Sequence, residues 1–201
     1  ITKADGTKFG KTATGSIWLD ATMTSPYAFF QFFLNSDDRD VEQLLRSFSF
    51  KSNEELNALF DSLKTNPGAR EAHRELAREV TTLIHGESTT QKVENAAKAL
   101  FGQSEIRDLD EETLTSALSE LPRTTVTRGE ALPTWVDLIT AAGVVDSKSA
   151  ARRVIKEGGA YINNEKVSGE DFAPTKEHLL HGRFLVLRKG KRDLAAVEVA
   201  T

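Results

Sequence analysis

The stretch Asp146–Val167, DSKSAARRVIKEGGAYINNEKV, decides how the chain reads. It has the order of a cap, a short helix, a glycine stop and a tight hairpin. Asp146 or Ser147 can cap the helix by accepting bonds from free backbone N–H groups. Ala151, Val154 and Ile155 follow the three-four spacing of a buried stripe. Lys148, Arg152 and Lys156 fall four apart and share an exposed face, with Arg153 beside them. Gly158-Gly159 ends the helix. Tyr161-Ile162 and Lys166-Val167 flank a turn at Asn163-Asn164, residues that tolerate positive φ. The spacing predicts a rigid helix that presents cations at phosphate-like intervals beside a hairpin. The competing reading is an ordinary solvated helix face, which gives no reason for charges of one sign to cluster.

The same pattern resembles the small RNA-binding module first described in a ribosomal small-subunit protein, the alpha-L motif. The match covers the serine, the basic residue, Ala-Arg-Arg, the branched apolar pair, Gly-Gly, the strand and the Asn turn. It implies RNA contacts from Lys148, Arg152, Arg153 and Lys156. Net charge, −4, argues against nucleic acid, but its distribution reverses that. Residues 146–192 hold 11 Lys+Arg against 6 Asp+Glu, leaving 15 against 24 elsewhere. A basic end on an acidic body is the footprint of a local RNA contact.

The 201 residues allow one or two domains, and 39% hydrophobic residues suffice for a core. The absence of cysteine excludes disulfides and Cys-based zinc sites and suits a cytoplasmic location. No apolar run approaches the ~20 residues of a membrane span, and no secretory pattern is present. The sequence opens on Ile1 rather than Met, which suggests a fragment or a processed product.

Near the start, Lys8-Phe9-Gly10-Lys11-Thr12 is framed by Gly6 and Gly15. Two lysines in a glycine-rich, hydroxyl-bearing loop can approach a triphosphate closely. It is not a P-loop, since Asp5 stands where that motif needs glycine. Alone it reads rather as an exposed basic loop. Set between Ala4 and Asp20 and followed by Thr24-Ser-Pro-Tyr27, it is similar to the lysine signature loop of class I aminoacyl-tRNA synthetases, in the form used by bacterial tyrosyl-tRNA synthetases. The resemblance runs from this loop to the last residue. It implies that Lys11 stabilises ATP phosphates in the transition state, that Lys8 supports it, and that Thr12 supplies the terminal hydroxyl. It implies ATP, with its Mg, as substrate of the parent enzyme, and no bound metal in these residues. Tyrosine and tRNA(Tyr) are the other expected partners, and the parent is expected to be a homodimer whose present piece is monomeric. The Rossmann catalytic domain with its tyrosine pocket is absent from these residues. The piece is therefore expected to be inactive alone, and residues before about Asp20 to be mobile, since their packing surface belongs to the missing domain.

Six helices follow. Ser25 caps the first and Pro26 takes its first turn. Its apolar residues, among them Phe29, Phe30 and Phe33, lie nearly all round, which predicts the buried centre of a bundle. Asp37 or Asp38 opens the second, and Ser52 with Glu55 forms a capping box for the third. Asn66-Pro67 starts the fourth, with Leu76, Val80 and Leu83 inward. The fifth ends at Gly102, and the sixth runs from Asp110 to Pro122. Arg39, Arg46, Arg70, Arg74 and Arg78 serve as phosphate contacts or as solvated faces equally well. The four histidines, His178 and His181 included, are assigned structural or surface roles.

The expected fold is a mainly α helical domain followed by a small α+β RNA-binding domain. The expected divisions are residues 1–20 as a catalytic-domain tail, 21–122 as the helical anticodon-binding domain, 123–132 as a linker or strand-bearing entry, and 133–201 as the alpha-L domain. Arg183–Val199 reads as a hairpin turning at Lys189-Gly190-Lys191. Arg188, Lys189, Lys191 and Arg192 form a second basic cluster, either gripping phosphates or keeping the tip soluble. Two rivals share the RNA-binding module: a free-standing RNA-binding protein, for which the Lys8–Thr12 loop has no use, and an RNA-modifying enzyme, which needs a β-rich catalytic domain.

Overall fold

The computed structural model describes every residue except 1, 13, 14, 128, 130 and 201, and describes the backbone alone at 11, 12 and 15. The chain divides into two compact units, residues 1–94 and 95–201.

The first unit opens with a two-residue hairpin, β1 (Lys11–Thr12) against β2 (Gly15–Ser16). Helices α1 (Pro26–Leu34), α2 (Asp38–Phe48), α3 (Asn53–Thr65) and α4 (Glu71–His85) follow, and α5 (Glu87–Leu100) carries the chain across the boundary between units. Local sequence sets the starts. Ser25 accepts from the Ala28 amide and Asp37 from the Arg39 amide, and the Ser52–Glu55 box forms as expected. Each such cap removes an orphan donor and is worth about 1 kcal/mol.

Three expectations fail here. The helix at the centre of the bundle is α4, which packs against α1, α2 and α3. It buries Ala72, His73, Leu76, Ala77, Val80 and Thr81, whereas Phe32 and Leu34 of α1 stay half-exposed. Helix α4 also begins later than Asn66-Pro67. Those residues open a single 3-10 turn, Pro67–Ala69, and Arg70 at φ 50° breaks the chain before Glu71. Leu83, expected inward, is 56% exposed.

The start of the chain does find a packing surface, which overturns the expectation for residues before Asp20. The Phe9 ring sits 5.3, 5.7 and 6.1 Å from the rings of Phe32, Phe33 and Phe48. The Ala4 amide donates to Asp40 Oδ1 at 2.6 Å, and Asp40 is buried.

In the second unit, α6 (Glu111–Ser119) precedes β3 (Arg123–Thr127), α7 (Trp135–Ala141) and α8 (Lys148–Lys156). Strands β4 (Ala160–Ile162), β5 (Glu165–Lys166), β6 (Phe184–Lys189) and β7 (Asp193–Ala200) complete a five-stranded sheet of order β3-β7-β6-β4-β5. All neighbours are antiparallel except β3 and β7, which run parallel from Arg123↔Ala196 to Thr127↔Ala200. Part of the expected linker is therefore an edge strand. Helix α6 lies against β7, so the division expected at 122 falls inside this unit. The core joins Trp135, Leu138 and Ile139 of α7 and Ala151 and Ile155 of α8 to Ile162, Leu185, Leu187, Val197 and Val199 of the sheet. Trp135 is fully buried, and its indole N–H is satisfied by the Tyr161 carbonyl at 3.0 Å. The fold class is as expected, a helical unit and a small α+β unit.

Candidate RNA-binding surface and nucleotide loop

Helix α8 is placed by its own sequence. Ser147, not Asp146, is the cap, its hydroxyl accepting from the Ala150 amide at 3.2 Å. Ala151 and Ile155 point into the core, while Val154 is half-buried. Gly158 at φ 71° reverses the chain, and the Gly159 amide returns to the Val154 carbonyl at 2.9 Å. Glycine serves the backbone there, since the positive φ strains any residue with a Cβ; the nearest atom such a Cβ would meet is the movable Lys166 Nζ at 2.9 Å.

The turn after β4 holds Asn163 at φ 47° and Asn164 at φ 69°, both in the left-handed region that a two-residue hairpin requires. Its side chains do more than tolerate that backbone. Asn163 is buried, donates from Nδ2 to the His178 carbonyl at 2.6 Å, and accepts at Oδ1 from the Val186 amide at 2.9 Å. Asn164 Nδ2 donates to the Ala99 carbonyl at 2.7 Å. Periodicity had no means of finding these links, since the partners are 15 to 65 residues away.

With α8 so fixed, Lys148, Arg152, Arg153 and Lys156 all stand in solvent on the helix surface, and each has a carboxylate nearby. Lys148 Nζ is 2.7 Å from Asp137 Oδ1, and that lysine, with Thr134, holds the Asp137 carboxyl below its ordinary value. Arg152 Nε and Lys156 Nζ share Glu170, at 3.3 and 3.2 Å. Arg153 Nε is 3.8 Å from Glu157 and its side chain is 76% exposed.

The second cluster is drawn against the end of α8, because the Gly190 amide donates to the Gly159 carbonyl at 2.7 Å. Its members differ. Arg188 lies with its guanidinium 4.0 Å from the Tyr161 ring centroid and donates to the Gly190 carbonyl at 2.6 Å. Lys189 Nζ pairs with Asp193 at 3.1 Å. Lys191 and Arg192 are exposed at the tip. Arg188 and Lys189 are thus engaged within the domain, and the tip's open charge comes from Lys191 and Arg192.

In the first unit, Lys8 is exposed and bridges Thr2, while the adjoining Phe9 anchors the loop to α1 and α2. Gly10 has φ 81° with open space where a Cβ would stand, and its carbonyl accepts from the Ile17 amide at 3.0 Å. The backbone of Lys11 and Thr12 forms β1, and their side chains lie outside the described residues.

The histidines are built into the framework. His178 Nδ1 accepts from the Thr175 amide at 3.0 Å, and His181 Nε2 donates to the Leu109 carbonyl at 2.8 Å. His73 is fully buried, with Nε2 3.0 Å from Asp38. His85 meets the Phe29 ring edge-on at 5.0 Å. Among the described residues no three His, Cys, Asp or Glu side chains could hold a metal ion, and no helix is long and apolar enough to cross a membrane.

Comparison with known proteins agrees along the chain. The family described as "tRNA synthetases class I (W and Y)" matches residues 1–102, and the "Tyrosine--tRNA ligase SYY-like C-terminal domain" matches residues 113–197. A tyrosine–tRNA ligase of Streptomyces avermitilis is 62% identical over 199 residues, covering 99% of this chain and 46% of that protein. The tyrosine–tRNA ligase of Corynebacterium glutamicum is 51% identical over 200 residues, covering 99% of this chain and 47% of that one. A solution structure of a tyrosyl-tRNA synthetase C-terminal domain is 32% identical over 48% of this chain and 96% of that chain, at a TM-score of 0.38 too low to bear on the fold. The chain spans slightly less than half the length of the curated relatives it matches, and what it matches is their C-terminal part. With both family matches in chain order and relatives this similar, the chain belongs to the class I tRNA synthetases of the W and Y group, and within it to the tyrosyl-tRNA synthetase family.

Proposed function

We propose that this chain is the tRNA-binding part of a cytoplasmic tyrosine–tRNA ligase that activates tyrosine with ATP and esterifies tRNA(Tyr). The observation that carries the reading is the face of α8, where four cations stand in solvent on a helix fixed by its cap, its core stripe and the Asn163 turn. Phosphate contacts of this kind position the RNA, and Lys191 and Arg192 extend the positive surface at the neighbouring hairpin tip.

Two features support a triphosphate site at the first loop. Lys8 is exposed, and Gly6 and Gly10 leave open space where side chains would otherwise stand. ATP bound there supplies the activated phosphoanhydride that tyrosine attacks. Lys8 and Lys11 neutralise phosphate charge and Thr12 adds a hydroxyl, while tyrosine selection and dimer formation belong to the parent enzyme outside these residues. Alone, the chain binds tRNA weakly as a monomer and shows no tyrosine-dependent pyrophosphate exchange.

The test is tRNA(Tyr) binding by the 201-residue chain across a salt series, with the R152E/R153E double variant beside it. Both side chains are exposed, so circular dichroism should be unchanged. Affinity should fall at least about tenfold, and the logarithmic salt slope should shrink by about two. An unchanged affinity at moderate salt would remove α8 from the RNA contact.

A further inference from the structure

The cations of α8 are not all free to receive phosphate. Glu170 comes from the turn Gly169–Phe172, closed by a bond from the Phe172 amide to the Gly169 carbonyl at 3.2 Å. That turn is itself pinned, because the Phe172 carbonyl accepts from the Trp135 amide at 2.8 Å and the Phe172 ring meets His178 edge-on at 5.5 Å. The carboxylate is therefore delivered to α8 by a fixed piece of backbone. Its two oxygens are split between two cations on successive turns, Oε2 to Arg152 Nε at 3.3 Å and Oε1 to Lys156 Nζ at 3.2 Å. Two oxygens of one anionic group reaching two cations four residues apart is the arrangement that a backbone phosphate would adopt on this helix.

We propose that Glu170 is an affinity-setting residue of the RNA surface, an internal anion that occupies the phosphate position between Arg152 and Lys156 and is displaced when RNA docks. This inference rests on the RNA-binding reading of α8. Glu170 differs from the other acidic partners on this face. Among the described residues Asp137 pairs with one cation, Lys148, and Glu157 with one, Arg153, whereas Glu170 closes a two-cation site. Its side chain is 35% exposed, against 73% for Lys156, so the cations keep an open side through which a phosphate can enter.

The physical effect is a uniform tax on affinity. Each exposed ion pair that RNA displaces weakens binding by a factor of about 1.5 to 5. The loss is the same for any RNA that uses this site, because phosphates carry no sequence information. An RNA that touches only α8 is then held too weakly to matter, and one with further contacts elsewhere on the protein is kept. Nonspecific binding by a basic helix is suppressed without removing the charges that the bound state needs.

The experiment measures binding of a tRNA(Tyr) transcript and of an unrelated tRNA by fluorescence anisotropy at about 0.1 M salt, where exposed charges are only partly screened. The full chain is compared with E170Q, with R152Q/K156Q, and with the triple variant, thermal melts being recorded for each. The expected result is that E170Q binds both RNAs about threefold to tenfold more tightly and that this gain disappears in the R152Q/K156Q background. An E170Q chain that folds and binds equally or more weakly overturns the inference, since Glu170 would then merely orient the two cations. If R152Q/K156Q binds both RNAs as the parent chain does, the RNA reading of α8 fails, a result distinguishable from the first.

Discussion

Replacing Phe9 by Ala should release the signature loop from the helical unit while leaving the bundle folded. Phe9 is half-buried, and its ring makes three tilted contacts, at 5.3, 5.7 and 6.1 Å, within the range where aromatic pairs attract. Truncating a fully buried Phe to Ala costs about 3–5 kcal/mol, and half that burial gives about 2. A loss of about 2 kcal/mol raises the population of the detached loop roughly thirtyfold. The assay is amide hydrogen exchange at Ile17, whose N–H is bonded to the Gly10 carbonyl and should exchange faster by that factor. Phe9→Leu keeps much of the apolar area and loses mainly the ring–ring part, so its effect should be about half as large in free energy. Unchanged Ile17 protection in Phe9→Ala would refute the claim that this ring holds the loop.

Other expectations follow from buried polar groups. Asn163→Ala strands the buried Val186 amide and the His178 carbonyl and should cost the second unit about 2–4 kcal/mol in urea unfolding, whereas Asn164→Gly, which keeps the positive φ and loses only the bond to Ala99, should cost about 1. Burial lowers the pKa of His73, with the Arg70 charge adding to it, and burial also lowers that of His85. A histidine whose folded pKa is depressed binds protons more readily when unfolded, so the stability it permits is present above the ordinary value of 6.5 and is lost as pH falls below it toward the folded pKa. The melting temperature of the helical unit should therefore decline between about pH 7 and pH 5, above the carboxylate range, and His73→Gln should flatten that decline.

What could be read from the sequence is what neighbours in sequence decide. The Ser25, Asp37 and Ser52 caps, the Gly158 stop and the Asn163-Asn164 turn each depend on a few consecutive residues, and they fold as their chemistry requires. The errors share one cause, contact at a distance. Helix α1 has the more apolar sequence, yet α4 takes the centre because it has the length and the faces to meet three partners. Phe9 reads as a loop residue until Phe32, Phe33 and Phe48 are brought beneath it. The basic face of α8 was legible to the residue, but the carboxylates that answer it were not, since Glu170 reaches α8 only through the anchored turn before Phe172. Arg188 was counted as open charge, and only the register that sets it opposite Tyr161 shows the guanidinium lying on a ring.

The parallel pairing of β3 with β7 has a bearing on biosynthesis. Strand β7 sits between β3 and β6, so those two strands share no neighbour until residues 193–200 have left the ribosome. A nascent chain lacking them displays two unpaired edges at once, the condition most prone to wrong association between chains. The second unit is therefore a late folder, and premature termination in its closing segment should yield insoluble product rather than a weakened domain.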